Sequence, residues 1–212
     1  MGEINLKSFQ EIVTYTARGL EPYRGFPQFY SAIPFILDAR PQCHIIIMAD
    51  DKSCYSRQRD DGKTWLEAMQ SIVPAASSER VHFFKFSNYE NYRKILRFST
   101  VHIYLTAPFV LSWFLLEAMS CQCLILASAT SPVKEVIKHQ ENGYLTSFWD
   151  SNIIAQDAIK LLQENSHLSN IRFNARKTIL EKYDVSKSLA AQLQLLIFQI
   201  FTKQYLAKLL HC

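Results

Sequence analysis

Short apolar runs alternate along the chain with longer segments in which apolar residues recur at helical spacing. Each run has the length of one strand, and Cys43–Met48 is apolar except for His44, which is typical of a parallel strand covered on both faces. Strands and helices that alternate at short spacing indicate a parallel sheet with right-handed crossovers. The pattern therefore predicts an α/β fold, a Rossmann-like parallel sheet of about six strands with helices on both faces.

The individual elements follow from the same pattern. Strands are predicted at Ile12–Thr16, Cys43–Met48, Val81–Phe84, Val101–Leu105, Leu124–Ala127 and Tyr144–Thr146. Helices are predicted at residues 26–39, 63–73, 89–98, 132–139, 150–162 and 171–183, and a further apolar helix ends near Cys121. Pro34 should kink the first helix or mark its end.

The domain organisation is expected to be simple. Residues 1–185 are predicted to form one Rossmann-like domain. Residues 186–212 are predicted to form a helical tail, with a long helix over residues 186–210. Its stretch Leu193–Phe201 is apolar on nearly all faces, so it is expected to contact a partner or to self-associate.

Composition and charge exclude several classes of protein. The chain has 212 residues, of which 49% are hydrophobic, and a formal net charge of +4. This allows one substantial core and suits a phosphorylated ligand, without requiring a nucleic-acid partner. No apolar run could span a bilayer, and Met1–Leu6 does not resemble a signal peptide. The five cysteines lie mostly in apolar surroundings, so buried thiols in a cytoplasmic protein are expected.

Motifs of several enzyme classes are absent from the sequence. It contains no dinucleotide fingerprint, no P-loop and no Gly-x-Ser-x-Gly elbow. No metal or cofactor is expected, because Cys121 and Cys123 have no matching ligand pair and Asp50-Asp51 is interpreted as part of a solvated loop. The histidines at strand starts, His44, His82 and His102, are expected to be structural.

Polar loops are predicted where strands end, and ligands of such sheets bind at that edge. These loops are Arg18–Arg24, Asp50–Gly62 and Thr106–Phe109. Two guanidinium groups beside a helix N-terminus form a good diphosphate site. Arg18 and Arg24 are therefore candidates for diphosphate binding. Two solvated surface arginines remain the alternative.

Glu117 is a single carboxylate in an otherwise apolar helix. Burial of an ionised carboxylate is costly unless it meets a donor. Glu117 therefore either holds a polar ligand at the mouth of the sheet or pairs internally. As a ligand group it suits two ribose hydroxyls, and together with the arginines it indicates a nucleotide.

Three motifs resemble the C-terminal half of the group 1 glycosyltransferases, the retaining family 4 enzymes of GT-B fold. Arg18–Gly25 resembles the family's Gly-Arg-Leu…Lys-Gly segment, and Pro108–Met119 resembles its Glu-x7-Glu segment. Residues 131–145 resemble its Pro-Glu-Val-Ile…Asn-Gly-Leu-Leu stretch. Order and spacing agree from about Ile12 to Tyr183, so the resemblance covers most of the chain.

The resemblance implies a donor site for a nucleoside-diphosphate sugar. It implies Arg18 and Arg24 on the diphosphate and Glu117 on the ribose hydroxyls. It also implies backbone contacts to the base and to the phosphates from two nucleotide-binding segments, which contain Lys85 and Phe86, and Phe109 and Ser112. The reaction implied is transfer of a hexosyl group with retention and without an obligatory metal. An N-terminal half, from another polypeptide or a longer gene product, would bind the acceptor.

The sequence also departs from the family pattern. Phe109 stands where the first glutamate of Glu-x7-Glu would be, although Pro108–Trp113 is similar to a bacterial variant of the motif. Gln122 stands where the family has glycine. A non-catalytic or degenerate nucleotide-binding domain therefore remains an alternative. A sugar-nucleotide epimerase shares the architecture, but the Leu-Leu-Glu-Ala-Met segment argues against it.

Overall fold

The computed structural model describes residues 6–86, 88–189 and 192–198. Its strands are β1 (Glu11–Gly19), β2 (Cys43–Asp50), β3 (Val81–Phe84), β4 (Val101–Tyr104), β5 (Ile125–Ser128) and β6 (Tyr144–Thr146). They form one parallel sheet in the order β3-β2-β1-β4-β5-β6. The chain moves outward from β1 to β3 and then returns to the other side of β1. β1 and β4 therefore form the topological switch point, where ligands bind in sheets of this kind.

Helices cover both faces of the sheet. They are α1 (Phe26–Ala39), α2 (Trp65–Ile72), α3 (Tyr89–Phe98), α4 (Trp113–Ser120), α5 (Ser131–Lys134), α6 (Ser151–Glu164) and α7 (Ser169–Lys182). One apolar cluster packs α1 and α6 on the sheet, and a second packs α3, α4 and α7 on the opposite face. β2 serves both, because Ile45 belongs to the first cluster and Ile46 to the second. This two-sided burial explains the apolar run from Ile45 to Ala49 in this strand and confirms the predicted fold class.

Local signals set several element boundaries. The predicted bounds of α1, β3 and α3 match the structure. Asn88 caps α3, since its side chain accepts a hydrogen bond from the Asn91 N–H at 2.8 Å. Pro34 does not end α1, which continues to Ala39.

Two predicted boundaries differ most from the structure. β1 continues to Gly19 because its pairing with β2 extends to Gly19 opposite Asp50, so Arg18 lies in the strand and not in the following loop. The helix predicted over residues 132–139 ends at Lys134. The Asn142 side chain accepts from the Lys138 N–H at 2.8 Å and donates to the Val136 carbonyl at 3.0 Å. These bonds replace those that would continue the helix.

The three histidines at strand starts have structural partners. His44 Nδ1 lies 3.0 Å from His82 Nε2, and the Phe9 ring stacks on the His44 ring. His102 is fully buried and its Nδ1 lies 2.8 Å from the Thr14 hydroxyl. Burial lowers the pKa of all three, that of His102 to about 3.

The chain is again helical after α7, over residues 185–189 and 192–198. Every residue from 192 to 198 is exposed, including Leu193 and Phe198. Beyond residue 198 the predicted tail helix, with Ile200 and Phe201, lies outside the described residues. Within the described part of the chain, no helix combines the length and apolar character that crossing a membrane requires.

Candidate functional site

The loops that follow β1 and β4 meet at the switch point through Arg24. Its Nη1 donates to the Thr106 hydroxyl at 2.9 Å and to the Val110 carbonyl at 3.1 Å. The Tyr15 hydroxyl donates to the Arg24 carbonyl at 2.8 Å. Only 5% of Arg24 is exposed. Because both side-chain bonds leave from Nη1, the guanidinium keeps further N–H donors and its charge for an anionic ligand.

Glu21 fixes the loop that follows β2. Its buried Oε2 accepts hydrogen bonds from the backbone N–H groups of Cys54, Tyr55 and Ser56 at 3.0, 2.8 and 2.7 Å. This places the Tyr55 ring 5.1 Å from the Arg24 guanidinium carbon, within cation–π distance. One carboxylate therefore orders the loop beside the candidate diphosphate residue.

Sequence analysis did not single out Glu21, Tyr55 or Thr106. For Glu21 a signal existed, because a carboxylate between Leu20 and Pro22 needs donors if it is buried. Nothing in the sequence shows that the donors come from a loop more than thirty residues later.

Gly25 allows the first loop to approach the end of β4. Its φ is +66°, in the left-handed region, and a Cβ placed on it would lie 2.5 Å from Leu105 Cβ. No side chain fits there without displacing the backbone. Gly25 thus permits the turn that brings Arg24 to Thr106.

Arg18 lies at the exposed end of β1, on the same edge as Arg24. Its charge acts on Lys52 and on the Cys54 thiol, so it faces the loop that Glu21 holds. The two predicted diphosphate residues share an edge, and Arg24 alone is anchored there.

Glu117 lies in α4 beside two tyrosines of α3. It is half-buried. Burial is the main cause that raises the pKa of the Tyr89 and Tyr92 phenols, and the Glu117 carboxylate is the second cause. No salt bridge joins Glu117 to a cation within the part of the chain that the structure describes. Within this part of the chain Glu117 therefore interacts with the two phenols and with no cation, and its carboxylate borders an open groove.

The predicted nucleotide-binding segment at the end of β3 lies close to Glu117's tyrosine neighbours. The Phe86 ring centre is 5.4 Å from that of Tyr92 and 6.2 Å from that of Phe114. Lys85 is exposed. Phe86 and Glu117 thus border one region of the surface, next to α3 and the start of α4.

The predicted segment from Phe109 to Ser112 leads into α4. Ser112 caps the helix, and its N–H donates to the Tyr104 hydroxyl at 2.8 Å. Phe109 is 53% exposed, and its ring centre lies 6.0 Å from that of Tyr23 and 5.5 Å from that of Tyr55. An aromatic rim therefore surrounds Arg24.

Buried polar atoms without partners occur near the same edge. Thr16 Oγ1, Glu21 Oε1 and the Tyr92 hydroxyl have no hydrogen-bond partner in the described structure. Such atoms are rare in folded proteins and are explained where a ligand or ordered water completes them. By contrast, Asp50 pairs with Lys52 at 2.7 Å, and the described residues contain no group of three or more metal-ligating side chains.

Comparison with known proteins agrees with these features. Residues 3–178 match the family model described as Glycosyl transferases group 1. The chain belongs to this family. It is 25% identical over 140 residues to N-acetyl-alpha-D-glucosaminyl L-malate synthase of Bacillus anthracis, a match that covers 66% of this chain and 36% of that protein.

Solved structures show the same GT-B fold. Anabaena Alr3699/HepE, in complex with UDP-glucose, superposes with a TM-score of 0.71 at 23% identity, covering 86% of this chain and 48% of that one. The C-terminal domain of the group 1 protein LpcC from Francisella tularensis superposes with a TM-score of 0.69 at 17% identity, covering 86% of this chain and 100% of that domain. This group 1 chain thus has the fold of such a C-terminal domain and spans only part of the longer relatives.

Proposed function

We propose that this chain is the donor-binding half of a retaining glycosyltransferase that transfers a hexosyl group from a nucleoside-diphosphate sugar to an acceptor. The observation that carries the proposal is the buried Arg24 guanidinium at the switch point, held by Thr106 and the Val110 carbonyl. A fixed cation at the ligand-binding edge is suited to a diphosphate. Membership of the group 1 family supports the same reading over a degenerate domain.

The other site residues take roles that follow from their positions. Arg18 is proposed to approach the diphosphate from the end of β1. Glu117 is proposed to accept hydrogen bonds from the ribose hydroxyls. Backbone groups around Lys85 and Phe86 would contact the base, and those from Phe109 to Ser112 would contact the phosphates.

The chemical contribution of this half is stabilisation of the leaving group. Negative charge grows on the diphosphate as the glycosidic bond breaks, and a fixed guanidinium interacts more strongly with that charge than with the ground state. Burial of Arg24 strengthens the effect, because little water screens the charge. Positioning of the acceptor would come from an N-terminal half, which the proposed enzyme requires as its partner.

A titration panel of UDP, GDP and ADP against the purified chain tests the proposal. Half a cleft buries less of the ligand than a closed one, so we expect one of the three to bind with a dissociation constant on the order of 0.1–1 mM. The UDP-glucose complex of the Anabaena protein favours UDP as the first choice. Glu117→Ala should weaken that binding, whereas Lys134→Ala, a change at an exposed residue of α5, should not.

Two outcomes would count against the proposal. If none of the three nucleotides binds, the donor-binding role is wrong. If a nucleotide binds but the chain stays inactive when supplied with a matching N-terminal half, nucleotide sugars and acceptors, the non-catalytic alternative is correct.

A further inference from the structure

A groove of about 710 Å³ runs along α4, on the face of the domain next to the proposed ribose contact. α4 forms its floor, and α3 and α7 form its walls. Each helix contributes residues that recur at one-turn spacing, as in the α3 stripe of Tyr89, Arg93 and Arg97. The volume lies within the roughly 300–1,000 Å³ that small-molecule sites occupy.

Three guanidinium groups line this groove, from Arg93, Arg97 and Arg176. All three act on the thiol of Cys121 in the groove floor. Burial has the largest effect on the pKa of this thiol and raises it, and each of the three guanidinium groups lowers it. None of them forms a salt bridge in the described structure. Among the lining residues that the structure describes, Glu117 carries the one carboxylate.

Helix ends explain only part of this arrangement. Arg97 lies in the last turn of α3, where a cation interacts favourably with the helix dipole. Arg176 donates to the Ser120 carbonyl and so also stabilises the end of α4. Arg93 has neither role, and its guanidinium lies 6.0 Å from the centre of the Tyr89 ring. Like charges around one cavity repel one another unless an anion joins them.

The two ends of the groove differ in chemistry. The end near the carboxyl edge carries Tyr89 and Trp113, which is 79% exposed. The opposite end carries Arg97 and Arg176 beside Cys121 and Gln122. The distance along α4 from Trp113 to Ser120 is about 11 Å, from the helical rise per residue. The tail of this chain is a poor occupant, because no acidic residue follows Asp184.

We propose that this groove binds a phosphate-bearing small molecule, with the phosphoryl group between Arg97 and Arg176 and an aromatic or sugar body against Tyr89 and Trp113. Arginine matches phosphate oxygens with its forked donors, and the exposed rings provide a stacking surface. The site is separate from Arg24 and shares Glu117 with the proposed ribose contact. Occupancy of the groove should therefore change the affinity of the donor site for its nucleotide.

Calorimetry with phenyl phosphate tests the proposal in an Arg24→Ala background, in which the diphosphate site is removed. Adding Arg97→Ala should weaken binding at least about tenfold, the effect of losing one charge-assisted contact. Adding Lys177→Ala should leave binding unchanged, because Lys177 lies on α7 but lines a different cavity. Equal affinities with and without Arg97 would overturn the proposal.

Alkylation of Cys121, again in the Arg24→Ala background, gives a second, local measurement. Cys121 is half-exposed in the groove floor, and Cys54 is half-exposed in the loop after β2. Phenyl phosphate should slow the modification of Cys121 more than that of Cys54. If it slows the modification of both cysteines by the same factor, the proposal is wrong. UDP binding retained in Arg97→Ala would show that this site and the donor site fail independently.

The same variants identify the source of the phosphate. If vesicles containing phosphatidic acid bind the wild type but not Arg97→Ala, and phenyl phosphate also binds, the ligand is a lipid headgroup. If vesicles do not bind but phenyl phosphate does, it is a free phosphorylated molecule. Vesicle binding without any phenyl phosphate binding would refute a small-molecule site.

Discussion

Arg24 and Thr106 are joined by a hydrogen bond of 2.9 Å across the topological switch point of the sheet. Thr106 is itself held in place, since the Ser128 hydroxyl accepts from its N–H and donates to its carbonyl, each at 3.0 Å. The cation at the ligand edge is therefore fixed by the loops after β1 and β4 and by a residue of β5. A cation that is already ordered loses little conformational freedom when a ligand binds.

Arg24→Ala should abolish detectable binding of nucleoside diphosphate. It should also lower the free energy of unfolding by about 1–3 kcal/mol, because Thr106 and the Val110 carbonyl lose their donor. Calorimetry and denaturant unfolding measure the two effects. Arg24→Lys keeps the charge but loses the forked donors of the guanidinium group, so we expect it to bind nucleoside diphosphate about tenfold more weakly than the wild type. Wild-type affinity in Arg24→Ala would end the diphosphate assignment.

Glu21→Gln should loosen the loop after β2, because an uncharged amide oxygen is a weaker acceptor for the three backbone N–H groups that Glu21 now holds. Trypsin should cut sooner at Arg57 and Arg59 in that loop, and nucleotide affinity should fall severalfold as Tyr55 leaves Arg24. Glu90→Gln changes an exposed carboxylate paired with Lys94 and serves as the control. Identical cleavage rates in the two variants would contradict the role given to Glu21.

Gln122→Gly should stabilise the protein. Gln122 follows α4 with a φ of 62°, in the left-handed region that costs an L-residue about 1–2 kcal/mol. Part of the gain is offset by the freedom of glycine in the unfolded chain, which leaves about 1 kcal/mol. For a chain of this length that raises Tm by roughly 2–4 °C in a thermal melt.

The matched control is Gln156→Gly on the exposed side of α6, where the backbone is right-handed. There glycine should cost about 1 kcal/mol. The two glutamine substitutions are thus expected to shift Tm in opposite directions. A decrease in Tm for both would show that the conformation of Gln122 carries no strain.

His102 should make the fold less stable in acid. Burial lowers its pKa from 6.5 to about 3, so between these pH values the unfolded chain binds a proton that the folded chain does not. Stability is therefore lost as pH falls below 6.5, by about 2 kcal/mol at pH 5 from this residue. Urea unfolding of His102→Asn should lose less stability between pH 7 and pH 5 than the wild type.

The remaining pH dependence should come from the other two histidines whose pKa is lowered by burial. Burial lowers the pKa of His44 and His82 as well, so both act in the same direction. His102→Asn should consequently reduce the pH dependence without removing it. An unchanged difference between pH 7 and pH 5 would show that His102 does not remain neutral in the folded state.

The tail should cause self-association when no N-terminal half is present. Leu193 and Ile197, one helical turn apart on the same face, are 49% and 52% exposed, and Leu195 on the opposite face is 64% exposed. An apolar surface of this kind marks a partner site or an aggregation site. Light scattering should show oligomers for the full chain and monomers for a version that ends at Lys187. A monodisperse full-length monomer at high micromolar concentration would refute this.

Local sequence signals were sufficient for much of the framework. The bounds of α1, β3 and α3 follow from apolar periodicity and from neighbouring caps and turns, which act within a few residues. The alternation of these elements also determined the parallel, two-sided sheet. The polar loop after the first strand and the lone carboxylate of an apolar helix indicated Arg24 and Glu117 as candidate residues, and the family motifs then supported both.

Only the tertiary structure decided how those residues are used. Arg24 meets Thr106, and Glu21 meets the loop at Tyr55, across 82 and 34 positions of the chain. Pairing with β2 placed Arg18 in a strand, and the Asn142 side chain shortened α5. The groove along α4 needs three helices to pack side by side. Local propensity carries no information about such distant contacts, because they form only when separate segments pack on one core.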